Sequence, residues 1–199
     1  MTLIKFGYLL RIIQNVMIYT RAWTAQQYHQ NPDLDYIFFW GHRPSKDGSI
    51  TKTCFSQWWP VSFTVNGVTY TSAEQWMMAR KAELSGDQTM LATILKTHDP
   101  AEVKKLGRKV KNFNPAQWDA HKYAFVTEGN VHKFGQNPAL KSFLLGTGNA
   151  VLVEASPYDA IWGIGLNADA PGINDPATWK GENLLGFALM EARDALRDA

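Results

Sequence analysis

A glutamate and a lysine seven residues apart, in the stretch TSAEQWMMARKA at 71–82, are the residues whose types and spacing most suggest chemistry. Glu74 and Lys81 fall on one face of a predicted helix, with Met77 and Met78 between them. Because seven residues rise roughly 10 Å along a helix, the two side chains can act together only on a shared pocket or ligand. There, a buried carboxyl group could move protons, and a desolvated lysine could attack an aldehyde-level carbon.

A structural explanation of Glu74 competes with the chemical one. If Thr71 is the N-cap, Glu74 is the third helical residue and its side chain can bond back to the Thr71 amide. If Ser72 is the cap, Gln75 takes that task and Glu74 is free. The helix N-terminus favours the ionised form of Glu74, whereas burial beside aromatic and Met side chains favours the protonated form. The local sequence leaves both explanations open.

The composition predicts one globular domain. A chain of 199 residues can bury a large core without disulfides or metals, and aromatic residues at 13%, including eight Trp, are numerous enough for some to face a ligand. The single cysteine, Cys54, excludes an internal disulfide, fits a reducing compartment such as the cytoplasm, and is expected to be a small buried residue. No His or Cys pair has metal-ligand spacing, so no metal site is expected.

The positive charge of the chain is concentrated in one stretch. A net charge of +2 is too small to indicate a nucleic-acid-binding protein, but residues 101–125 alone carry +4. Such a stretch could hold phosphate groups or be a solvated helix face. Its basic residues are Lys104, Lys105, Arg108, Lys109, Lys111 and Lys122, and its acidic residues are Glu102 and Asp119.

The first 36 residues are expected to be an N-terminal extension or leader. Lys5 and Arg11 interrupt the apolar run at the start, so it predicts neither a transmembrane helix nor a signal peptide. A docked amphipathic helix or a disordered leader is expected, and Met17 could be the natural start. The domain proper is expected at 37–199, with no membrane association.

Hydrophobic periodicity predicts a mainly α fold with a small β-hairpin or sheet, in a single compact domain. The stretch VSFTVNGVTYT predicts a hairpin that turns at Asn66 and Gly67 with its apolar side chains on one face. Short strands are expected at FFWG and VLVE. Helices are expected at 73–84, 88–96, 100–109, 115–133, 138–146 and 184–197, the last of them capped by Asn183.

Six motifs together resemble the YbiA-like, or NADAR, family. They occur in the family's order across roughly residues 37–197: FFWG, CFSQWWPVSF, TSAEQWMMARKA, GRKVKNF, SPYDAIWGIGL and WKGENLLGFALMEAR. The resemblance implies a compact, mainly helical fold and hydrolysis of N-glycosidic bonds. Members are associated with phosphorylated ribosylamino-pyrimidine intermediates of riboflavin synthesis, and others with removal of ADP-ribose from guanine bases.

The resemblance also implies a set of site residues. Glu74 matches the family's catalytic glutamate, Lys81 matches the lysine that follows it, and Asp159 is the third catalytic candidate. The expected substrate-binding residues are Trp40, Gly41, Arg108, Trp118, Trp162, Gly163 and Asn183. Of these, Trp118 is expected to stack on the base and Arg108 to contact a phosphate. The chain departs from the family pattern at Gln57 and at Gln75-Trp76, which leaves the choice of substrate open.

The expected function is that of a cofactor-free hydrolase acting on a ribosyl 5′-phosphate or ADP-ribosyl adduct of a heterocycle. Cleavage builds positive charge on the sugar, which Glu74 and Asp159 could stabilise, while Trp118 could offer a ring face to the base. Either Glu74 activates a water, or Lys81 forms an imine with the opened ribose. Nucleic acid could carry the modified base. The alternative is a non-catalytic module that binds ADP-ribose or nucleic acid.

Overall fold

The computed structural model describes residues 17–31 and 33–197, so the first sixteen residues of the extension or leader predicted at 1–36 lie outside the described residues. The expected mainly α fold with small sheets is confirmed, with one continuous hydrophobic core. The described residues form helices α1 Arg21–Gln30, α2 Ala73–Leu84, α3 Gln88–Leu95, α4 Pro100–Gly107, α5 Pro115–Gly135, α6 Pro138–Gly146 and α7 Leu184–Arg197. The strands are β1 Tyr36–Phe39, β2 Phe63–Val65, β3 Val68–Tyr70 and β4 Val151–Glu154, and short 3₁₀ helices occupy Lys52–Phe55 and Pro176–Thr178.

The six predicted helices are confirmed, and their ends lie within about two residues of the expected positions. Capping side chains explain where several of them begin. Side chains of Asp87, Asp99 and Asn114 accept a hydrogen bond from the first turn of α3, α4 and α5, respectively. Helix α1 was not predicted, because its sequence is polar and lacks a strong apolar face. The side chain of Thr20 caps it by accepting from the Trp23 amide at 3.0 Å.

The predicted hairpin is confirmed in turn position and register. Phe63 pairs with Tyr70 and Val65 with Val68 in an antiparallel ladder. The turn residues Asn66 and Gly67 have φ of 50° and 80°, the left-handed conformation that a two-residue type I′ turn requires. Of the apolar residues in the ladder, Phe63, Val65 and Tyr70 are buried and Val68 is exposed.

Strands β1 and β4 form a parallel pair that the sequence did not predict. Their register matches Tyr36 with Val151 and Phe39 with Glu154. Helices α2 to α6 lie between the two strands in the chain, so no local signal specifies this pairing. Because parallel strands end at the same edge, the residues after Phe39 and after Glu154 emerge side by side.

Two glycines allow helices to approach their neighbours closely. A Cβ atom at Gly107 would lie 2.0 Å from the sulfur of Met78, so α4 packs directly against α2. A Cβ atom at Gly186 would lie 2.0 Å from the carbonyl oxygen of Leu152, so α7 packs against β4. These contacts fix α4 and β4, which both carry side chains of the cavity described below.

The residues just before α1 are bonded to the C-terminal part of the chain. The amide of Ile18 donates to Glu191 at 2.8 Å, and the Tyr19 hydroxyl donates to Asp194 at 2.5 Å. The division of the chain at residue 36 stays a prediction. Within 17–31 and 33–197, no helix combines the length and apolarity needed to cross a bilayer.

Candidate active site

A cavity of about 610 Å³ lies at the carboxyl ends of β1 and β4, beside the first turn of α2. Such a volume is typical of a small-molecule site. Eight of the ten residues predicted for the site line it: Trp40, Gly41, Glu74, Lys81, Arg108, Trp118, Asp159 and Trp162. Glu74 and Lys81 therefore meet the condition for acting together, since they border the same space.

The other two predicted residues, Gly163 and Asn183, are buried and are not among those that line the cavity. A Cβ atom at Gly163 would lie 2.8 Å from the carbonyl oxygen of Glu154. The side chain of Asn183 accepts from the Glu154 amide and donates to the Leu152 carbonyl, both at 2.9 Å. Asn183 directly precedes α7, as predicted for its cap, and its carbonyl accepts from the Phe187 amide at 3.2 Å, while its side-chain amide is bonded to β4. Both residues instead hold the strand that ends at Glu154.

The structure decides between the two explanations of Glu74. Ser72 is the N-cap of α2, and its hydroxyl accepts from the Gln75 amide at 3.1 Å. The side chain of Gln75 accepts from the Thr71 amide at 2.8 Å, which is the reciprocal contact of a capping box. The Glu74 side chain is therefore not needed for capping.

Glu74 is a buried carboxyl group with an unpartnered oxygen on the cavity wall. The residue is 2% exposed, and its Oε1 has no hydrogen-bond partner. Burial raises the pKa of Glu74 to about 7; Asp159 adds to the rise, while Lys104, the Trp58 side chain and Arg108 oppose it. A carboxyl group with this pKa can exchange a proton at neutral pH.

A second buried carboxyl group, Glu154, lines the same cavity and was not predicted as a site residue. Its Oε2 is buried without a hydrogen-bond partner. Burial raises its pKa to about 8; Asp159 and then Glu74 add to the rise, and Lys104 opposes it. The signal in the sequence was a carboxyl residue directly after the apolar strand Val151–Leu152–Val153. Only the pairing of β4 with β1 puts that residue at the cavity.

Asp159 is a carboxylate that the backbone holds in place. Its Oδ1 accepts from the amides of Ile161 and Trp162 at 2.9 and 2.8 Å. The negative charge of Asp159 raises the pKa of both buried glutamates. The site thus contains three carboxyl groups, of which Asp159 is the one stabilised by backbone donors.

Lys81 lies at the aromatic side of the cavity. Its Nζ is 4.1 Å from the ring centroid of Phe113 and 6.0 Å from that of Trp118. Burial lowers the pKa of the Lys81 amine, and Arg108 lowers it further. The ring contacts favour its charged form, whereas burial favours the neutral form that could act as a nucleophile.

Some cations of the basic stretch at 101–125 are placed to bind phosphate, and others lie on a solvated helix face. Lys104 and Arg108 line the cavity, where they can contact an anion. Lys105 and Lys122 instead form ion pairs with Glu102 and Asp119, in which three of the four side chains are more than half exposed. The cations of this stretch at the cavity are therefore Lys104 and Arg108, which flank the close contact of Gly107 with Met78 of α2.

Aromatic rings surround the rest of the cavity. Trp58, Trp118 and Trp162 are partly buried in its wall. At the mouth, Trp40 is 53% exposed and Tyr158 is 87% exposed, with their ring centroids 6.0 Å apart. These rings offer flat apolar faces to a planar ligand.

Gln57 adds a free donor to the cavity wall. Its Oε1 accepts from Asn130 at 3.0 Å, but its Nε2 is buried without a partner. Lys133, itself buried, donates to the carbonyls of Cys54 and Ser56 at 2.7 Å and so fixes the segment that carries Gln57. The sequence marked Gln57 only as a departure from the family pattern. Its free donor makes it a candidate contact for the substrate.

The expectation for Cys54 is confirmed, since it is a free and fully buried cysteine. Burial raises the pKa of its thiol to about 11, so the thiol is not a nucleophile at neutral pH. In the part of the chain that the structure describes, no group of three or more His, Cys, Asp or Glu residues could hold a metal ion.

Comparison with known proteins gives the class of protein that this fold and cavity define. The NADAR domain model matches residues 38–197, so the chain belongs to the NADAR family. N-glycosidase R617 of Acanthamoeba polyphaga mimivirus is 49% identical over 165 residues, which cover 80% of this chain and 95% of that protein. The chain is an N-glycosidase, and this finding argues against the non-catalytic alternative.

Two more distant relatives extend the comparison. N-glycosidase YbiA of Escherichia coli is 30% identical over 69% of this chain and 76% of that protein. Its NMR structure superimposes with a TM-score of 0.64 and 27% identity, covering 82% of this chain and 86% of that chain. Riboflavin biosynthesis protein VVA0006 of Vibrio vulnificus is 29% identical over 72% of this chain and 35% of that protein.

Proposed function

We propose that the chain hydrolyses the N-glycosidic bond between a phosphate-bearing ribose and a nucleobase-like heterocycle. The sugar is a ribosyl 5-phosphate, as in ribosylamino-pyrimidine intermediates of riboflavin synthesis, or the ADP-ribosyl group of a modified guanine. In the second case a nucleic acid carries the modified base. The observation that carries the proposal is the buried carboxyl group of Glu74, whose Oε1 has no hydrogen-bond partner, on the wall of an aromatic cavity.

The carboxyl groups suit the sugar side of this reaction. As the bond from C1′ to nitrogen breaks, positive charge develops on the ribose, and a nearby anion lowers the barrier. Glu74 in its ionised form supplies that anion. Asp159 supplies a second negative charge, held by two backbone amides.

The rings and cations of the cavity suit the heterocycle and the phosphate. A base stacked on Trp118 or Trp162 gains on the order of 1 to 3 kcal/mol. Arg108 and Lys104 contact the phosphate oxygens of the sugar. The name of the Vibrio relative supports a substrate from riboflavin biosynthesis.

Two routes fit this arrangement. In one, ionised Glu74 takes a proton from the water that attacks C1′. In the other, the Lys81 amine forms an imine with the opened ribose, and Glu74 moves protons. Glu74 acts in both routes, while the Lys81 amine is the nucleophile only in the second; both residues line the same cavity.

The decisive experiment measures release of the heterocycle. The purified protein is incubated separately with phosphorylated ribosylamino-pyrimidines and with DNA that carries ADP-ribosylated guanine, and products are identified by mass spectrometry. We expect release from one substrate class and a loss of at least about 100-fold in Glu74→Gln. Glu102→Gln is the matched control, because it removes an exposed carboxylate outside the cavity. Equal rates in Glu74→Gln and the wild type would refute the role of Glu74.

A further inference from the structure

The cavity wall contains a second buried carboxyl group that neither the family motif nor the proposed mechanism uses. Glu154 ends β4, lines the cavity, and has a buried Oε2 with no hydrogen-bond partner. Among the described ion pairs, none includes Glu154 or Glu74. A buried polar oxygen without a partner is costly unless a ligand or a proton satisfies it.

We propose that Glu154 is a further catalytic residue, the acid that protonates the heterocycle as its bond to C1′ breaks. This inference rests on the proposed function. Glu74 then acts as the anion on the sugar side. Two buried carboxyl groups at one cavity can divide these tasks when their surroundings favour different protonation states.

The surroundings of Glu74 favour its ionised form more strongly than the surroundings of Glu154 favour ionisation there. Glu74 lies in the first turn of α2, where the helix dipole favours an anion, and Lys104, Arg108 and the Trp58 side chain all stabilise its charge. Glu154 lies at the end of a strand; among the described residues, Lys104 stabilises its ionised form, while Asp159 and Glu74 both disfavour ionisation. Near neutral pH the proton therefore stays on Glu154, and Glu74 is the first of the two to ionise.

The backbone of Glu154 is held on three sides, as positioning of an acid requires. Its amide donates to the side chain of Asn183, its carbonyl accepts from the Ile164 amide at 2.9 Å, and its residue pairs with Phe39 in the parallel ladder. Gly163 packs so closely against the carbonyl that any side chain there would collide with it. This arrangement gives Asn183 and Gly163 an indirect role, which is to position the acid.

The proton balance of the hydrolysis closes with these two groups. The bond from C1′ to nitrogen breaks with its electron pair moving to the heterocycle, and the heterocycle takes the proton of Glu154. Water then bonds to C1′ and gives a proton to Glu74. A proton passes from Glu74 back to Glu154 through solvent, so one water is consumed and both groups return to their initial states.

The pH profile follows from the charged groups that act on the pair; the titratable side chains of Lys81 and His42 line the same cavity. Glu74, Glu154 and Asp159 repel one another, while Lys104 acts on both glutamates and Arg108 on Glu74. The active form needs ionised Glu74 and protonated Glu154, so kcat/KM falls below a pH of about 7 and above a pH of about 8.

The test compares kcat/KM from pH 5 to 9.5 in the wild type, Glu154→Gln and Glu102→Gln, with whichever substrate the wild type cleaves. Glutamine matches the size of protonated Glu154, and circular dichroism with melting checks the fold. We expect Glu154→Gln to lose about 100-fold or more in kcat with KM changed less than about threefold, and its residual rate to lack the alkaline decline. Glu102→Gln should match the wild type.

The possible outcomes separate this proposal from the proposed function. If Glu154→Gln retains turnover within threefold, or loses turnover but keeps the alkaline decline, Glu154 is not the acid. If the variant is unfolded, the wild-type profile still decides, because the absence of an alkaline decline near pH 8 would overturn the proposal. Failure of the wild type to cleave any candidate substrate would instead overturn the proposed function.

Discussion

The Oε1 atom of Gln75 accepts a hydrogen bond from the Thr71 amide at 2.8 Å, and this contact leaves the neighbouring Glu74 free of any capping task. The other end of the Gln75 side chain donates to the carbonyls of Ile94 and Thr97 at 3.1 and 2.8 Å. One fully buried amide thus caps α2 and closes the end of α3. Because Gln75 makes the capping contact, the side chain of Glu74 can lie in the cavity wall.

Replacement of Gln75 by Glu should destabilise the fold. The change keeps an acceptor for Thr71 but removes the donor to Ile94 and Thr97, and it buries a carboxyl group against their carbonyls. We expect the free energy of unfolding to fall by about 2 to 4 kcal/mol, measured by urea denaturation. Gln88→Glu makes the same change at an exposed position of α3 and should stay within about 0.5 kcal/mol of the wild type. Equal stability of the two variants would contradict the bridging role.

Glu74→Gln should be more stable than the wild type at alkaline pH. Folding raises the Glu74 pKa from 4.5 to about 7, so between these values the unfolded chain releases the proton that the folded protein keeps. The wild type therefore loses stability as the pH rises through this window, and glutamine removes that loss. We expect a gain of about 1 to 3 kcal/mol at pH 8 that disappears near pH 4, measured by denaturation at each pH. A variant less stable than the wild type at pH 8 would show that Glu74 is not penalised by burial.

Lys81→Met should reduce turnover about 100-fold, because it removes the amine that the imine route needs and, on the water route, a cation at the cavity that can stabilise developing negative charge. Lys81→Arg then separates the routes, since arginine keeps the charge but cannot form an imine. Retained activity in Lys81→Arg indicates the water route. Loss in both variants, together with a ribose-derived mass on Lys81 after borohydride reduction of the wild type, indicates the imine route. Full activity in Lys81→Met would exclude both roles.

Arg108→Ala should weaken binding of the phosphate without changing the chemical step. Arg108 lines the cavity as the C-cap residue of α4, so we expect KM for a phosphate-bearing substrate to rise about tenfold with kcat nearly unchanged. The effect should shrink at high salt, because partly exposed charges are screened. Lys105→Ala is the control, since Lys105 pairs with Glu102 on the exposed face of the same helix. If the two variants behave alike, the basic stretch acts only as a solvated face.

Local sequence was sufficient for most of the secondary structure. Apolar periodicity and capping residues fixed the predicted helices, and Asn66-Gly67 fixed the hairpin, because these features depend on contacts a few residues apart. Helix α1 was missed because its short polar sequence has no such pattern. Its place depends on bonds that residues before and within it make to the distant C-terminal region, such as that of Arg21 to Pro176.

Some residues of the candidate site could be predicted from the sequence, whereas others are brought to the cavity only by contacts between distant parts of the chain. Motif resemblance predicted Glu74 as a catalytic residue, and the capping alternatives around Ser72 and Gln75 were already visible in the sequence. Glu154 was missed because a carboxyl residue after an apolar strand has no distinguishing local feature. The bonds of the Asn183 side chain to β4 were not predicted, because they join residues about 30 positions apart in the chain.

The sequence by itself determined the helices, the hairpin and the residue types from which an N-glycosidase site can be built. Only the tertiary structure decided which carboxyl groups share a cavity and which are unpartnered there. The physical reason is that periodicity and capping act within a few residues. The protonation state of a carboxyl group instead depends on burial and on charges that the parallel pairing of β1 with β4 and the packing of α4 on α2 bring from distant parts of the chain.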